Sequence, residues 1–117
     1  MDVRPYVEGL KSRARSWAKQ CESARQRARE DAKKMAAFLV AAGASKVVLF
    51  GSLAGGARFT PQSDIDLAVE GIDWPAYWRI LSELERMSAF NVDLVILEDA
   101  DPEFRQRIIH EGEDLLQ

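Results

Sequence analysis

The sequence predicts an α/β (α+β) domain in which helices cover a small mixed sheet of three to four strands, preceded by a long N-terminal helix. Between Pro5 and about Ala42 there is no further proline, and strong helix formers dominate. After Gly43, short runs rich in Val, Ile and Leu alternate with amphipathic stretches, as in layered α/β domains. At 117 residues, the chain is long enough for one buried core.

The N-terminal helix carries an apolar seam with a 3-4 spacing, which favours packing against another helix. Its members are Val7, Leu10, Ala14, Trp17, Cys21, Ala24, Ala28, Met35 and Phe38. Because a helix this long must extend beyond a compact domain, we expect Met35 and Phe38 to pack on the sheet and a partner chain to cover the part of the seam that contains Leu10, Trp17 and Cys21. We therefore expect residues 1–45 to form a partner-facing helical segment and residues 46–117 to form the core of the domain.

The core is predicted to contain three strands, a short helix after the first strand, and two longer helices. The strands are expected at Lys46–Phe50, Asp64–Val69 and Asn91–Leu97. The short helix is expected from Gly51 to Arg58, and the longer ones start after Asp73 and Asp101, both suitable N-caps. The side chains of Trp17, Trp74 and Trp78 are expected to pack rather than to bind a ligand.

Charge and rare residues restrict the class of protein. Residues 1–46 carry 11 Lys or Arg against 5 acids, whereas residues 47–117 carry 5 against 14. Solvated helix charge explains the basic half better than nucleic-acid binding does. Cys21 and His110 are the only cysteine and histidine, which excludes an internal disulfide, a Cys-His metal cluster and a Ser-His-Asp triad. With no secretory or membrane-spanning pattern, we expect a cytoplasmic protein without membrane contact.

The chemistry begins with two acids in the second predicted strand. Asp64 and Asp66 are two residues apart, so on a strand they project from the same face. Carboxylate oxygens are the ligands that Mg²⁺ takes when substrate phosphates and water complete its octahedron. By itself the pair is weak evidence, since a solvated strand end explains it at least as well.

Two further features strengthen the hypothesis of a phosphate and metal site. Gly51-Ser52 follows a strand directly, and a turn of this kind offers free backbone N–H groups and a hydroxyl to phosphate oxygens, although it also suits an ordinary strand-to-helix turn. Asp93 lies in an otherwise apolar strand, where a carboxylate needs a cation or backbone N–H partners. A third acid facing the first two is expected to complete a two-cation site for displacement at phosphorus.

Taken together, these motifs resemble the nucleotidyltransferase-fold superfamily, and specifically the minimal nucleotidyltransferases (MNT) that act as antitoxins of HEPN-domain toxins. The resemblance rests on Leu49–Gly56, Ser63–Leu67 and Val92–Val95, and covers about residues 46–116. It implies nucleotide binding by Gly51, Ser52 and Ser63, and metal binding and catalysis by Asp64, Asp66 and Asp93. The chain departs from the family in having eleven rather than ten residues between Ser52 and Asp64.

The function implied by the resemblance is Mg²⁺-dependent transfer of AMP from ATP to a hydroxyl, such as a tyrosine of a cognate HEPN toxin. Two alternatives stay open. The chain could be a non-catalytic antitoxin or nucleotide sensor that neutralises its partner by contact, although retention of all three acids favours the enzyme. It could also be half of a small-molecule nucleotidyltransferase whose acceptor site is completed by another chain. Separately from these functions, the partner that covers the N-terminal helix could be a second copy of the chain, which would make a homo-oligomer.

Overall fold

A computed structural model of the chain describes residues 1–56 and 58–117, which form three α-helices and one four-stranded sheet. The elements follow the predicted order, with a short fourth strand at the end. They are α1 (Arg4–Ala41), β1 (Lys46–Phe50), β2 (Ile65–Glu70), α2 (Trp74–Arg86), β3 (Val92–Ile96), α3 (Pro102–Glu111) and β4 (Glu113–Asp114). The predicted fold class, with its long N-terminal helix, is confirmed.

The sheet is mixed, in the spatial order β3-β2-β1-β4. β1 runs antiparallel to both of its neighbours, β2 and β4, whereas β2 and β3 are parallel. As a consequence, the end of β1 and the beginnings of β2 and β3 meet at one end of the sheet. The side chains at that end come from three separate parts of the sequence.

Alternate residues of each strand pack into two different cores, one on each face of the sheet. The larger core lies beneath α1 and α2 and takes Leu49, Leu67 and Leu94 from the three long strands. The smaller core lies beneath α3 and contains Val48, Ala68 and Ile108. Even-numbered residues of β1 and β2 and odd-numbered residues of β3 therefore face α3.

The continuous helix α1 differs from the rest of the fold because only part of it touches the core. From Cys21 onward one face of the helix is buried, at Cys21, Ala24, Ala28, Ala32, Met35, Ala36 and Leu39. The domain's own core covers Met35, as expected, and also Cys21, for which we expected a partner. Residues 1–20 are exposed apart from Gly9, and the molecule extends 65 Å along its longest axis. No helix in the described part of the chain has the length and apolar composition to cross a membrane.

Two local predictions need correction. The turn and short helix expected from Gly51 to Arg58 begin as predicted, but the helix is a single 3₁₀ turn at Gly51–Leu53, and residue 57 lies outside the described residues. The tryptophans of α2 do not pack in the core, because Trp74 is 53% exposed and Trp78 69%. Trp78 directly follows the buried Tyr77 in the sequence. The buried face of α2, which consists of Tyr77, Ile80 and Leu84, is too narrow to include it.

Candidate active site

Asp66 and Asp93 are brought together by the register of the sheet. Asp66 pairs with Asp93 across the parallel β2–β3 ladder, and with Phe50 across the antiparallel β1–β2 ladder. Paired residues on neighbouring strands project to the same side, at about 5 Å between Cα atoms. The side chains of Asp66 and Asp93 therefore lie next to each other on the face that α3 covers.

Asp64 immediately precedes β2, which begins one residue later than predicted, at Ile65. The backbone N–H of Ile65 donates to the carbonyl of Asn91 (2.9 Å), so this point of the chain is already fixed beside β3. Asp64 and Asp93 are exposed and Asp66 is half-buried. Asp93 is the second residue of β3 rather than a mid-strand residue, and a solvent-exposed strand end accommodates its charge.

The electrostatics of Asp66 show how close the three acids are. Burial, together with the negative charges of Asp93 and Asp64, raises the pKa of the Asp66 carboxyl from 3.8 to about 6, and burial is the largest of these causes. Burial, and to a smaller extent the charge of Asp93, also raises the pKa of Tyr77. A cation between these carboxylates would lower the pKa of Asp66, because an opposite charge stabilises the ionised form.

The turn after β1 lies directly against Asp66. Gly51 has φ +72°, a left-handed conformation that glycine adopts without strain. A Cβ built on Gly51 would overlap the Asp66 Oδ2 atom and lie 3.0 Å from its Cγ. The turn thus brings the backbone next to the acid that has the most perturbed pKa. Ser52, half-buried, is the second residue of the same turn.

Side chains of α1 hold the turn from the other side. The Leu53 carbonyl accepts hydrogen bonds from Arg25 Nη1 (3.0 Å) and Arg29 Nη1 (3.4 Å). Arg29 also donates from Nη2 to both carboxylate oxygens of Glu113 on β4, at 2.8 and 2.7 Å. Sequence reasoning missed these contacts, because a partner 24 to 84 residues away along the chain leaves no local pattern.

Ser63, the remaining predicted nucleotide-binding residue, lies in the loop before Asp64. Its hydroxyl accepts a hydrogen bond from the Thr60 backbone N–H (2.9 Å), and its own N–H donates to the Thr60 carbonyl (3.0 Å). These bonds close a tight turn that leads directly into Asp64. In this arrangement Ser63 shapes the loop before the acids, and a role in nucleotide binding stays a prediction.

A groove opens beside Gly51, between the 3₁₀ turn and α3, with a volume of about 320 Å³. Its walls include Phe50 and Phe104, whose rings meet edge to face with their centroids 6.0 Å apart. Arg107 and Glu111 bring charge to the groove from α3. A largely apolar groove with a few charged groups, adjoining a glycine turn, has the general form of a small-molecule site.

The donor set at the strand ends suits Mg²⁺ that arrives with a substrate. All three candidate ligands are carboxylates, the hard oxygen donors that this ion prefers. Among the described residues, no three His, Cys, Asp or Glu side chains converge closely enough to enclose a metal ion by themselves. Mg²⁺ needs less than such an enclosure, because one or two carboxylates hold it while phosphate oxygens and water complete the octahedron.

Comparison with known proteins identifies the class. The family model described as "Polymerase beta, Nucleotidyltransferase" matches residues 33–117. The chain therefore belongs to this family of nucleotidyltransferases, and the predicted class of enzyme is confirmed. The match begins within α1, so the whole of the exposed N-terminal part, residues 1–20, lies outside the family model. No match was found among curated protein sequences.

Solved structures narrow the family to the minimal nucleotidyltransferases, in agreement with the resemblance found in the sequence. One similar chain comes from a complex of tri-AMPylated Shewanella oneidensis HEPN toxin with MNT antitoxin. It is 27% identical to this chain, the match covers 75% of this chain and 71% of that chain, and the TM-score is 0.59. A toxin–antitoxin structure with AMP-PNP is 28% identical over 71% of both chains, with a TM-score of 0.60. The MntA–HepT toxin–antitoxin is 26% identical over 74% and 70%, with a TM-score of 0.58.

Proposed function

We propose that this chain transfers AMP from ATP, with Mg²⁺, to a tyrosine hydroxyl of a HEPN-domain toxin and so acts as its antitoxin. The observation that carries the proposal is the pairing of Asp66 with Asp93 beside the Gly51 turn. Two carboxylates and a glycine turn thus lie together at one end of the sheet. A toxin partner would also place the reaction in the cytoplasm.

Each residue of the site has a role in this proposal. Asp64 and Asp66 would hold Mg²⁺, which when bound would supply positive charge to neutralise the phosphates. The Ser52 hydroxyl and the backbone N–H groups of the turn donate to the outer phosphate oxygens. Because the turn is only one 3₁₀ turn, these donors act individually rather than through the dipole of a longer helix.

The transfer itself needs a proton acceptor. The acceptor oxygen bonds to the α-phosphorus, the bond from that phosphorus to the bridging oxygen breaks, and pyrophosphate leaves with its electrons. The hydroxyl proton passes to the carboxylate of Asp93. Its exposed position at the start of β3 leaves Asp93 accessible to a hydroxyl group that enters from solvent, whereas Asp66 is half-buried against the turn.

The relatives support both the donor and the acceptor of the proposed reaction. One solved relative is a complex with AMP-PNP, an analogue of ATP, and another is a complex whose HEPN toxin carries three AMP groups. A protein acceptor also suits the open form of this site. Asp64 and Asp93 lie on the surface rather than inside a pocket that would enclose a small acceptor.

The experiment is to incubate the purified chain with Mg²⁺, ATP labelled at the α-phosphate, and a HEPN-domain protein, for which the product of the neighbouring gene is the first candidate. We expect label on a tyrosine of that protein, located by mass spectrometry, and none with ATP labelled at the γ-phosphate. The Asp93→Asn variant is the matched control and should leave the toxin unlabelled. If Asp93→Asn neutralises the toxin in cells as well as the wild type does, the chain acts by contact and the proposed enzyme function is wrong.

A further inference from the structure

We propose that residues 1–20 form a docking arm that binds an acid-flanked helix of the protein that accepts the nucleotide. The inference rests on the proposed function, because it assumes a protein acceptor, and it assigns that acceptor's binding to a surface outside the catalytic residues. Three features of the arm carry the inference: its position relative to the acids, its apolar stripe, and the charges beside the stripe.

The first feature is position, since α1 leaves the domain at the end of the sheet that carries the acids. Three contacts of α1 show its direction, from its C-terminal towards its N-terminal end. Asp31 accepts a hydrogen bond from Ser88 Oγ (2.6 Å). The Arg27 guanidinium lies 5.6 Å from the centre of the Phe90 ring, just before β3. Arg25 then reaches Leu53, just after β1. The docking arm therefore continues beyond the catalytic end of the sheet, by about 25 Å at 1.5 Å per residue.

The second feature is an apolar stripe that continues from the buried part of α1 onto the docking arm. Residues seven apart lie on nearly the same side of a helix. One such row contains Val7, Ala14, Cys21, Ala28 and Met35, and the other contains Val3, Leu10, Trp17 and Ala24. From Cys21 onward these residues are buried in the domain, whereas Leu10 is 59% exposed and Trp17 36%. The exposed stripe thus faces the same side of α1 as the buried residues and lies beyond the end of the sheet at which the acids are found.

The spacing of the apolar residues in the stripe indicates that the segment bound there is a helix. Apolar residues that repeat every 3.5 positions fit a second helix crossing at a shallow angle of about 20°. Ala14, at the centre of the stripe, allows close approach of that helix. An acceptor protein whose helix lies there has its surface against the end of the sheet, where Asp64 and Asp93 are exposed. Holding the acceptor in this way raises its effective concentration at the site.

The third feature is charge, which indicates the type of residue expected on the partner helix. Residues 1–20 carry five basic and two acidic side chains, and Asp2 is already paired with Arg4 (2.8 Å). Lys11 and Arg13 stand at the two positions that flank the stripe around Leu10 and Ala14. In an antiparallel pair of two docking arms, Lys11 would lie against Lys11 and Arg13 against Arg13. A second copy is therefore disfavoured, and Asp or Glu beside the apolar residues of a partner helix complements the arm.

The test assays variants of the full chain against the HEPN-domain protein used in the labelling experiment above, with three measurements. These are the Kd for Mg-ATP, the KM and kcat for AMP transfer to that protein, and the mass of the chain alone by sedimentation. Leu10→Glu together with Trp17→Glu should raise the KM at least about tenfold, at unchanged kcat and unchanged Kd for Mg-ATP. Leu10→Glu alone, at the more exposed position, keeps the test valid if the double variant loses helix content.

The matched control is Ser12→Glu with Arg15→Gln, which changes the net charge by the same amount on the opposite face of the helix and should leave the KM unchanged. Lys11→Glu with Arg13→Glu should raise the KM more at low salt than at high salt, because the charges of the arm are exposed.

Equal KM values for the wild type and both Leu10 variants would overturn the docking arm and leave the proposed function intact. A fall in the mass of the isolated chain in those variants would show a second copy on the stripe instead. If the wild type modifies no protein while still binding Mg-ATP, the proposed function fails, and the acceptor-binding role fails with it.

Discussion

Gly51 and Asp66 are packed so closely that the first has no room for a side chain and the second has little room to move. A Cβ on Gly51 would overlap Asp66 Oδ2, and the left-handed φ of +72° at Gly51 disfavours any other residue independently. The turn that is proposed to bind phosphate and the acid that is proposed to bind metal are therefore positioned by the same contact. A change at Gly51 should disturb both.

Gly51→Ala should consequently cost more than an ordinary glycine substitution. The left-handed backbone alone costs about 1–2 kcal/mol of folding free energy in a residue with a Cβ. Displacement of Asp66 should in addition reduce AMP transfer at least about tenfold. Urea unfolding and the transfer assay measure the two effects. The control is Gly56→Ala, where a Cβ would meet no atom within 4 Å. Near-normal transfer in Gly51→Ala would mean that the position of Asp66 does not matter to the reaction.

Asp64→Asn and Asp66→Asn should each abolish Mg²⁺-dependent nucleotide binding without unfolding the chain. The reason is that each substitution removes one anionic oxygen ligand and at the same time relieves repulsion among the three acids. Calorimetric titration with Mg-ATP checks the binding, and circular dichroism checks the fold. Asp73→Asn is a suitable control, because Asp73 is exposed and makes no side-chain cap bond. Wild-type affinity in both variants would remove the metal assignment.

Asp93→Asn should separate turnover from binding. If Asp93 accepts the proton of the attacking hydroxyl, its loss should reduce kcat at least about a hundredfold, the usual scale for general-base catalysis. Nucleotide affinity should change less than it does in Asp66→Asn, because Asp93 is exposed whereas Asp66 lies against the turn. The measurement is single-turnover transfer at saturating ATP. Retention of full turnover would leave Asp93 as a solvated strand residue with no chemical role.

Much of the fold was predictable because strong local patterns determine it. The long proline-free run gives α1, and the apolar runs give β1, β2 and β3 within one or two residues of their observed bounds. The two-residue strand Glu113–Asp114 has no such pattern, since it exists only through pairing with Val48 and Leu49. Its position depends on the tertiary fold rather than on its own residues.

Sequence patterns also show which face of a helix is apolar without showing what covers that face. The seam of α1 was identified correctly, but its cover from Cys21 onward is the domain itself. For the site, the spacing of the motifs predicted which residues meet at the end of the sheet. The hydrogen bonds from Arg25 and Arg29 to Leu53 depend on the path of α1 across that end, which no local pattern encodes. The roles assigned to the acids stay predictions for the experiments above.

The pKa of Asp66 leads to a last prediction, on stability in the absence of metal. In the unfolded chain the Asp66 carboxyl titrates near 3.8, and in the folded chain near pH 6, so the folded state binds its proton more tightly. Between these two values the unfolded state loses the proton first. The free energy of unfolding of the metal-free chain should therefore fall as the pH rises from about 4 to about 6.

Asp66→Asn should remove this part of the pH dependence, because an amide cannot titrate, and should make the metal-free chain more stable than the wild type at pH 7. The measurement is urea unfolding in the presence of EDTA at pH values from 4 to 7, on the wild type and on Asp66→Asn. Asp73→Asn again serves as the control and should follow the wild type. Adding Mg²⁺ with a non-hydrolysable ATP analogue should reverse the order at pH 7, because only the wild type retains the carboxylate that stabilises the bound cation. Identical pH profiles for Asp66→Asn and the wild type without metal would mean that burial and the charges of Asp93 and Asp64 do not raise the pKa of Asp66 in the folded chain.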